Sequence, residues 1–326
     1  MKTNDILVEV QDLRTYFPIK AGVFQRTVAE LKAVDGVSLR IRKGETLGLV
    51  GETGCGKTTL GRSILWLVKP NSGRVFFDGA DLGKLSSGKI RNLRQHMQMV
   101  FENPYGSLDP TMRVHQVIAE PLRVHHLASG KELDKRVAEL LVLVGLRADM
   151  AQGYPSEFSG GQRQRIELAR VLSVNPSFIV CDNPLAHLDV SMQAQLLKVL
   201  MWLRTWRGLT YLFIAHDLAL VRQISHRVAV MYLGQIVETA DCEELFDNPL
   251  HPYTRALLSA VLVPDPVAER NRKILLLPGD LPSPVNPPSG CHFHPRCYAA
   301  TPKCQQQTQE LRDVGAQGHQ VACHYA

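Results

Sequence analysis

Short apolar runs and amphipathic stretches alternate along most of this chain, and their periods separate strands from helices. Val8-Glu9-Val10 and residues 34–41 alternate apolar and polar side chains, the period-two pattern of half-buried strands, with a polar stretch near 20–30 between them. Thr46 to Val50 is short and apolar and reads as a buried strand, and residues 60–68 read as the start of a helix. Residues 74–78 and 96–101 look like further strands. From about 111 to 150 apolar residues recur at three- and four-residue spacing (Val137, Leu140, Leu141, Val144), which predicts helices. An amphipathic helix over 162–173, a strand over 178–181, a helix near 190–206 and a strand over 211–214 follow. Strands and helices in alternation predict an α/β core around a parallel sheet.

The pattern stops after residue 260. Pro264, Pro266, Pro278, Pro282, Pro284, Pro287 and Pro288 forbid long helices there and read as an irregular arm or a linker. Four of the seven cysteines then fall in the last 36 residues, which suggests a separate small module. The expected division is therefore 1–260 and 261–326. With 326 residues and 45% hydrophobic content, a sizeable core is available for one large or two modest domains. The charge of +6 suits anionic nucleotides or a membrane face and does not imply nucleic acid as a partner. No apolar run approaches the ~18–20 residues of a membrane span. The polar start Met1-Lys2-Thr3-Asn4-Asp5 is unlike a secretory signal, so a cytosolic site is expected and a disulfide framework is not.

Chemistry concentrates first at Gly51-Glu52-Thr53-Gly54-Cys55-Gly56-Lys57-Thr58, followed by Thr59: a complete GxxxxGK[ST] phosphate-binding loop between a predicted strand and a predicted helix. Its glycines let backbone N–H groups surround a phosphate, helped by the helix N-terminus. Lys57 would reach the terminal phosphates and the Thr58 hydroxyl would hold Mg²⁺. Asp182 ends a buried apolar strand, so it is a second Mg²⁺ candidate or, alternatively, the cap of the next element. Ser159-Gly160-Gly161-Gln162 opens a helix and makes a second anion site. One nucleotide needs only one phosphate loop. Two such sites in one chain imply a head-to-tail dimer, each nucleotide lying between the loop of one chain and the turn of the other.

The order GETGCGKT, FSGGQRQR, FIVCD, HLD, FIAHD resembles the ATPase subunits of ABC transporters over residues 6 to about 260. The string from Met99 to Leu108, then His251-Pro252-Tyr253-Thr254 and the Cys-rich tail, is similar to the dipeptide/oligopeptide importer branch, whose pattern nickel importers largely share. The resemblance implies an α/β fold with a RecA-like core, an antiparallel β subdomain, a helical subdomain over about 103–173 and a small Cys-rich C-terminal module. It implies ATP and Mg²⁺ as ligands. His216 would contact the γ-phosphate, and Asp189 would lie in the loop that crosses the dimer interface. Phe17, ahead of Tyr16, would stack on adenine. The implied partners are a second ATPase subunit, two transmembrane permease subunits and, indirectly, an extracytoplasmic solute-binding protein. The place would be the cytoplasmic face of the cell (inner) membrane, as a peripheral subunit. The segment from Glu102 to Leu108 would pass motion to the permeases, with Tyr105 and Leu108 either touching them or packing within the helical subdomain. Uptake of di- or oligopeptides is the expected function. The alternatives are a nickel or other small-solute importer ATPase, a non-transport regulatory ABC ATPase, or a nucleotide sensor.

Three positions depart from the family pattern. Asn183 stands where the family has a Glu that polarises the attacking water, Glu102 where it has Gln, and His187 where a small residue is usual. A neutral amide is a poor general base, and losing such a base costs ~10²–10⁴ in rate. Binding of nucleotide is therefore expected to survive while hydrolysis at this chain's own site is weak, unless the Asn is an engineered substitution that traps ATP. The turn at Ser159 would complete the site of a competent partner in a heterodimer. In the tail, Cys291, Cys297, Cys304 and Cys323 leave five, six and eighteen residues between neighbours. That spacing admits an iron–sulfur cluster, zinc or unligated thiols; in some peptide-importer ATPases that the tail resembles, four cysteines bind a [4Fe–4S] cluster. His292, His294, His319 and His324 read as bystanders, and Cys55 and Cys181 as small loop or core residues.

Overall fold

The alternating N-terminal stretches become two long strands, Ile6–Ala21 and Arg26–Arg42, in a computed structural model that describes residues 5–22, 25–261, 274–315 and 318–326, without the side chains of Pro104 and Tyr105. The chain divides into two compact units. One comprises Met1–Leu7, Arg42–Glu45 and Lys84–Ile214; the other comprises Val8–Ile41, Thr46–Gly83 and Ala215–Ala326.

In the first unit, the strands Met97–Val100, Phe178–Asp182 and Thr210–Ile214 lie side by side and parallel. Phe178–Asp182 is buried at every position, so its sequence is a continuous apolar run rather than an alternation. The predicted helical stretch resolves into Val114–Val124 and Gly130–Leu143, and both pack against Gly160–Leu172. Val137, Leu140 and Leu141 form the buried stripe of the middle helix. Leu108 is buried, so it packs within this unit, and the side chain of Tyr105 lies outside the described residues.

The second unit carries a four-stranded sheet in the order Arg26–Arg42, Ile6–Ala21, Ser72–Phe77, Ala80–Asp81, antiparallel where Ile6–Ala21 meets Ser72–Phe77. It also carries Thr46–Val50, which runs parallel to Arg227–Tyr232. That strand turns through Leu233 and Gly234, both at positive φ, and returns as Gln235–Asp241. The short strands Gln320–Val321 and Arg312–Asp313 extend this sheet from the chain's far end. Antiparallel pairing of 227–241 and of the tail was not expected from the sequence. Glu238 anchors it: the carboxylate is fully buried and accepts from the Leu250 and His251 N–H groups at 2.7 and 3.0 Å. His319 Nε2 lies 2.8 Å from the same carboxylate, so this histidine is a buried strut and no bystander. The proline-rich stretch 274–290 is irregular, and Lys32 N–H donates to the Pro284 carbonyl; Pro264 and Pro266 lie outside the described residues.

Candidate functional site

The phosphate-binding loop follows Thr46–Val50 and leads into the helix Lys57–Ile64. Two glycines are fixed by space. A Cβ on Gly51 would sit 2.1 Å from the Met231 carbonyl oxygen, and one on Gly56 would sit 2.0 Å from that of Ala33. Both also hold positive φ, 150° and 109°. Gly56 precedes the helix without a side-chain cap, so the first N–H groups of the helix receive no side-chain oxygen from it. Lys57 is buried, and its ammonium donates to the carbonyls of Gly51 (2.7 Å) and Glu52 (2.8 Å), folding the loop around one positive charge. This glycine-walled cradle with a cation at its centre suits a polyphosphate. Thr53 and Gly54 are exposed at its rim, and Thr58 and Thr59 are half-buried in the first helical turn. Burial pushes the Cys55 thiol up, so it stays protonated beside Lys57.

Glu52 is held from three sides. Its N–H donates to the Tyr253 hydroxyl at 2.8 Å, its carbonyl accepts from Lys57, and its carboxylate is bridged by Arg296. Neither Tyr253 nor Arg296 had been expected there; an acidic residue inside a loop that binds anions was the one available signal. Of the two adenine candidates, Tyr16 is committed, its hydroxyl donating to Asp35, whereas Phe17 is 40% exposed. His216 is exposed just past Thr210–Ile214, and Asp217 caps the helix that follows.

In the first unit, Ser159 caps Gly160–Leu172 reciprocally: its Oγ accepts from Gln162 N–H, and Gln162 Oε1 accepts from Ser159 N–H at 2.9 Å. Gly160 is half-buried and Gly161 is buried against Met192. Asp189 is an exposed N-cap, accepting from Met192 N–H at 2.9 Å. Asp182 is buried at the end of its strand. Asn183, next to it, holds φ 50°, and its Nδ2 donates to Glu102 Oε1 at 3.1 Å. The structure thus brings together two of the three positions, Asn183 and Glu102, that depart from the family pattern. His187, the third, is exposed at φ 63°.

A set of contacts that sequence reasoning missed grips the segment 101–107. Glu167 Oε1 accepts from Phe101 N–H (3.0 Å), Gln164 Nε2 donates to the Phe101 carbonyl (3.3 Å), and Arg170 Nη1 donates to the Ser107 carbonyl (2.5 Å). Burial pushes the Glu167 carboxyl up to about 7, against the opposing pull of the Phe101 N–H, the Ser107 hydroxyl and Arg170.

Cys291, Cys297, Cys304 and Cys323 all border one cavity of about 100 Å³, together with His294 and His324. Burial, and then the neighbouring thiols, Cys304 and Cys323 for both, push the Cys291 and Cys297 thiols up. Among the described residues, no three His, Cys, Asp or Glu side chains are grouped so as to hold a metal ion.

A chain that carries a phosphate loop between strand and helix, and a Ser-Gly-Gly-Gln turn on a capped helix, has the parts of an ATP-binding cassette, and it belongs to the ABC transporter family, whose model matches residues 34–186. Its branch is that of the dipeptide and oligopeptide importers: residues 237–304 match the oligopeptide/dipeptide transporter C-terminal region. The chain is 50% identical to the oligopeptide transport ATP-binding protein AppF of Bacillus subtilis, across 98% of both chains. It is also 50% identical to the oligopeptide transport ATP-binding protein OppF of Salmonella typhimurium, across 99% of this chain and 97% of that one. Among solved structures, the ATP-binding cassette MJ0796, dimeric and bound to ADP and Pi, is similar with a TM-score of 0.65 and 27% identity, over 72% of this chain and 99% of that chain.

Proposed function

We propose that this chain is the ATP-binding subunit of an oligopeptide importer and the hydrolytically weak member of an unequal ATPase pair. The naming of its relatives supports the cargo class. The observation that carries the unequal pair is the Asn183–Glu102 hydrogen bond. An amide has no site for a proton taken from water, and here its N–H₂ is turned to a carboxylate.

ATP is the substrate. Lys57 and the loop N–H groups would bind its phosphates, Phe17 would stack on its base, and His216 would contact the γ-phosphate. Thr58 and Asp182 would hold Mg²⁺, with Glu102 as a further oxygen ligand. The ion supplies charge neutralisation across the phosphate oxygens. With Asn183 in the base position, this set grips nucleotide well and activates water poorly. The Ser159 to Gln162 turn and Asp189 would serve the partner's site, where hydrolysis would reopen the dimer. Two permease subunits at the cytoplasmic face of the membrane would receive the motion through residues 102–108, with a solute-binding protein delivering cargo outside. No described helix is long and apolar enough to cross a membrane, which is compatible with a peripheral place beside such permeases. In this reading residues 1–260 form the ATP-binding part and 261–326 the arm and tail.

Four thiols bordering one cavity are the ligand set that a [4Fe–4S] cluster takes, and such a cluster is the group that the tail's resemblance implies. Such a cluster would act as a structural tie for the tail.

The test is steady-state ATPase activity of this chain alone, then with a co-expressed partner ATPase. The expected result is tight ATP binding with negligible turnover alone and turnover in the pair. A clear rate from the chain alone that Lys57→Ala abolishes would overturn the weak-site assignment.

A further inference from the structure

Tyr253 and Arg296 reach the phosphate-binding loop from distant points of the sequence, and neither belongs to the loop's own motif. Arg296 Nη1 donates to Glu52 Oε2 at 2.7 Å and Nη2 donates to Oε1 at 3.1 Å, a planar two-bond fork. The arginine side chain is 9% exposed and the Glu52 side chain 28%, so water screens the pair only in part. Arg296 Nε also donates to the Pro278 carbonyl. Three residues earlier, Phe293 is fully buried, edge-on to Tyr232 at 5.1 Å and tilted over Tyr253 at 5.4 Å. Tyr232 and Tyr253 meet edge to face at 4.7 Å. The turn that presents Arg296 is therefore locked by a packed aromatic cluster, and the Tyr253 of that cluster itself accepts from Glu52 N–H. Cys291 and Cys297 bracket this same turn, and both border the cysteine cavity.

We infer that Arg296 is a positioning residue for the phosphate-binding loop: it fixes Glu52 and cancels the negative charge of a residue in a loop that must accept an anion, so the cysteine-bearing tail sets nucleotide affinity. The backbone of Glu52 shares in this, since its carbonyl is one of the two that hold Lys57. Truncating one partner of a part-buried, two-bond charged pair leaves the other uncompensated. The inference rests on the ATP-binding reading above.

The test is the Kd for ATP with Mg²⁺, by calorimetry, for the full chain and its variants, with thermal melting alongside. Arg296→Ala is expected to weaken binding about 10-fold. Arg296→Lys, which keeps the charge and loses the fork, should fall between. In a Glu52→Gln background the cost of Arg296→Ala should shrink to about twofold or less, because the charge it answered is gone; a residue that served only to keep the tail folded would show the same loss in both backgrounds. An unchanged Kd in Arg296→Ala, or an equal loss with and without Glu52→Gln, overturns the inference. Should Arg296→Ala melt below assay temperature, Arg296→Lys carries the same comparison, and an unchanged Kd there overturns it. Failure of the unmodified chain to bind ATP would instead remove the ATP-binding reading itself.

Discussion

Asn183 sits in the left-handed region of backbone space, at φ 50°. Asn tolerates that conformation at little cost and Glu does less well. Asn183→Glu in the assembled pair, with the partner's phosphate-loop lysine substituted to silence its site, is expected to raise the ATPase rate about 10²-fold and to cost roughly 1 kcal/mol of stability. The new carboxylate would lie beside Glu102, whose charge discourages its ionisation, so Glu102→Gln added to it should raise the rate further. A double variant as slow as the parent would sink the account. At this scale the sequence marked Asn183 and Glu102 as departures, because each motif has a fixed chemistry to depart from. Their hydrogen bond, and the reach of Arg296 to Glu52, join residues far apart in the chain; only folding reveals them.

Among the elements, the helix Gly160–Leu172 does two things at once. Its N-terminus presents the Ser159 turn, and one of its faces, through Gln164, Glu167 and Arg170, holds the segment 101–107. Those three recur at a spacing of three, so they share a face. Glu167 makes this grip pH-sensitive. Its folded pKa of about 7 lies above the ordinary 4.5, so the folded state keeps a proton that the unfolded state releases between those values. Stability is thus lost as pH rises from about 4.5 to about 7. Glu167→Gln should remove that slope and gain about 2–3 kcal/mol at pH 8, read from urea unfolding at pH 5 and pH 8. Equal gains at both pH values would contradict it. The long buried strands and the amphipathic helices were legible because period reports burial directly. The hairpin at 227–241 and the two-residue strands 312–313 and 320–321 were not: an apolar run does not say which way its partner runs, and two residues have no period.

At the scale of the whole molecule, the cysteine tail is part of the same compact unit as the phosphate-binding loop, fastened by His319 on Glu238 and by Arg296 on Glu52. Anaerobic purification is expected to give about four irons per chain with visible charge-transfer absorption, lost on Cys297→Ser. Stoichiometric zinc would make the thiols a zinc site, no metal would leave them lining a bare cavity, and either result would refute the cluster. The sequence located these cysteines, but not their packing in one unit with the phosphate loop, since a run of prolines looks like a boundary whether or not the chain beyond it folds back. That return path has a consequence for how the protein is made. Glu52 and Arg296 are 244 residues apart, and synthesis at about 5–20 residues per second puts some tens of seconds between them. The loop proposed to hold ATP emerges from the ribosome early and stays without its clamp throughout that time. Nascent or prematurely ended chains would therefore carry a phosphate loop of low affinity, and full nucleotide binding would appear only as translation finishes.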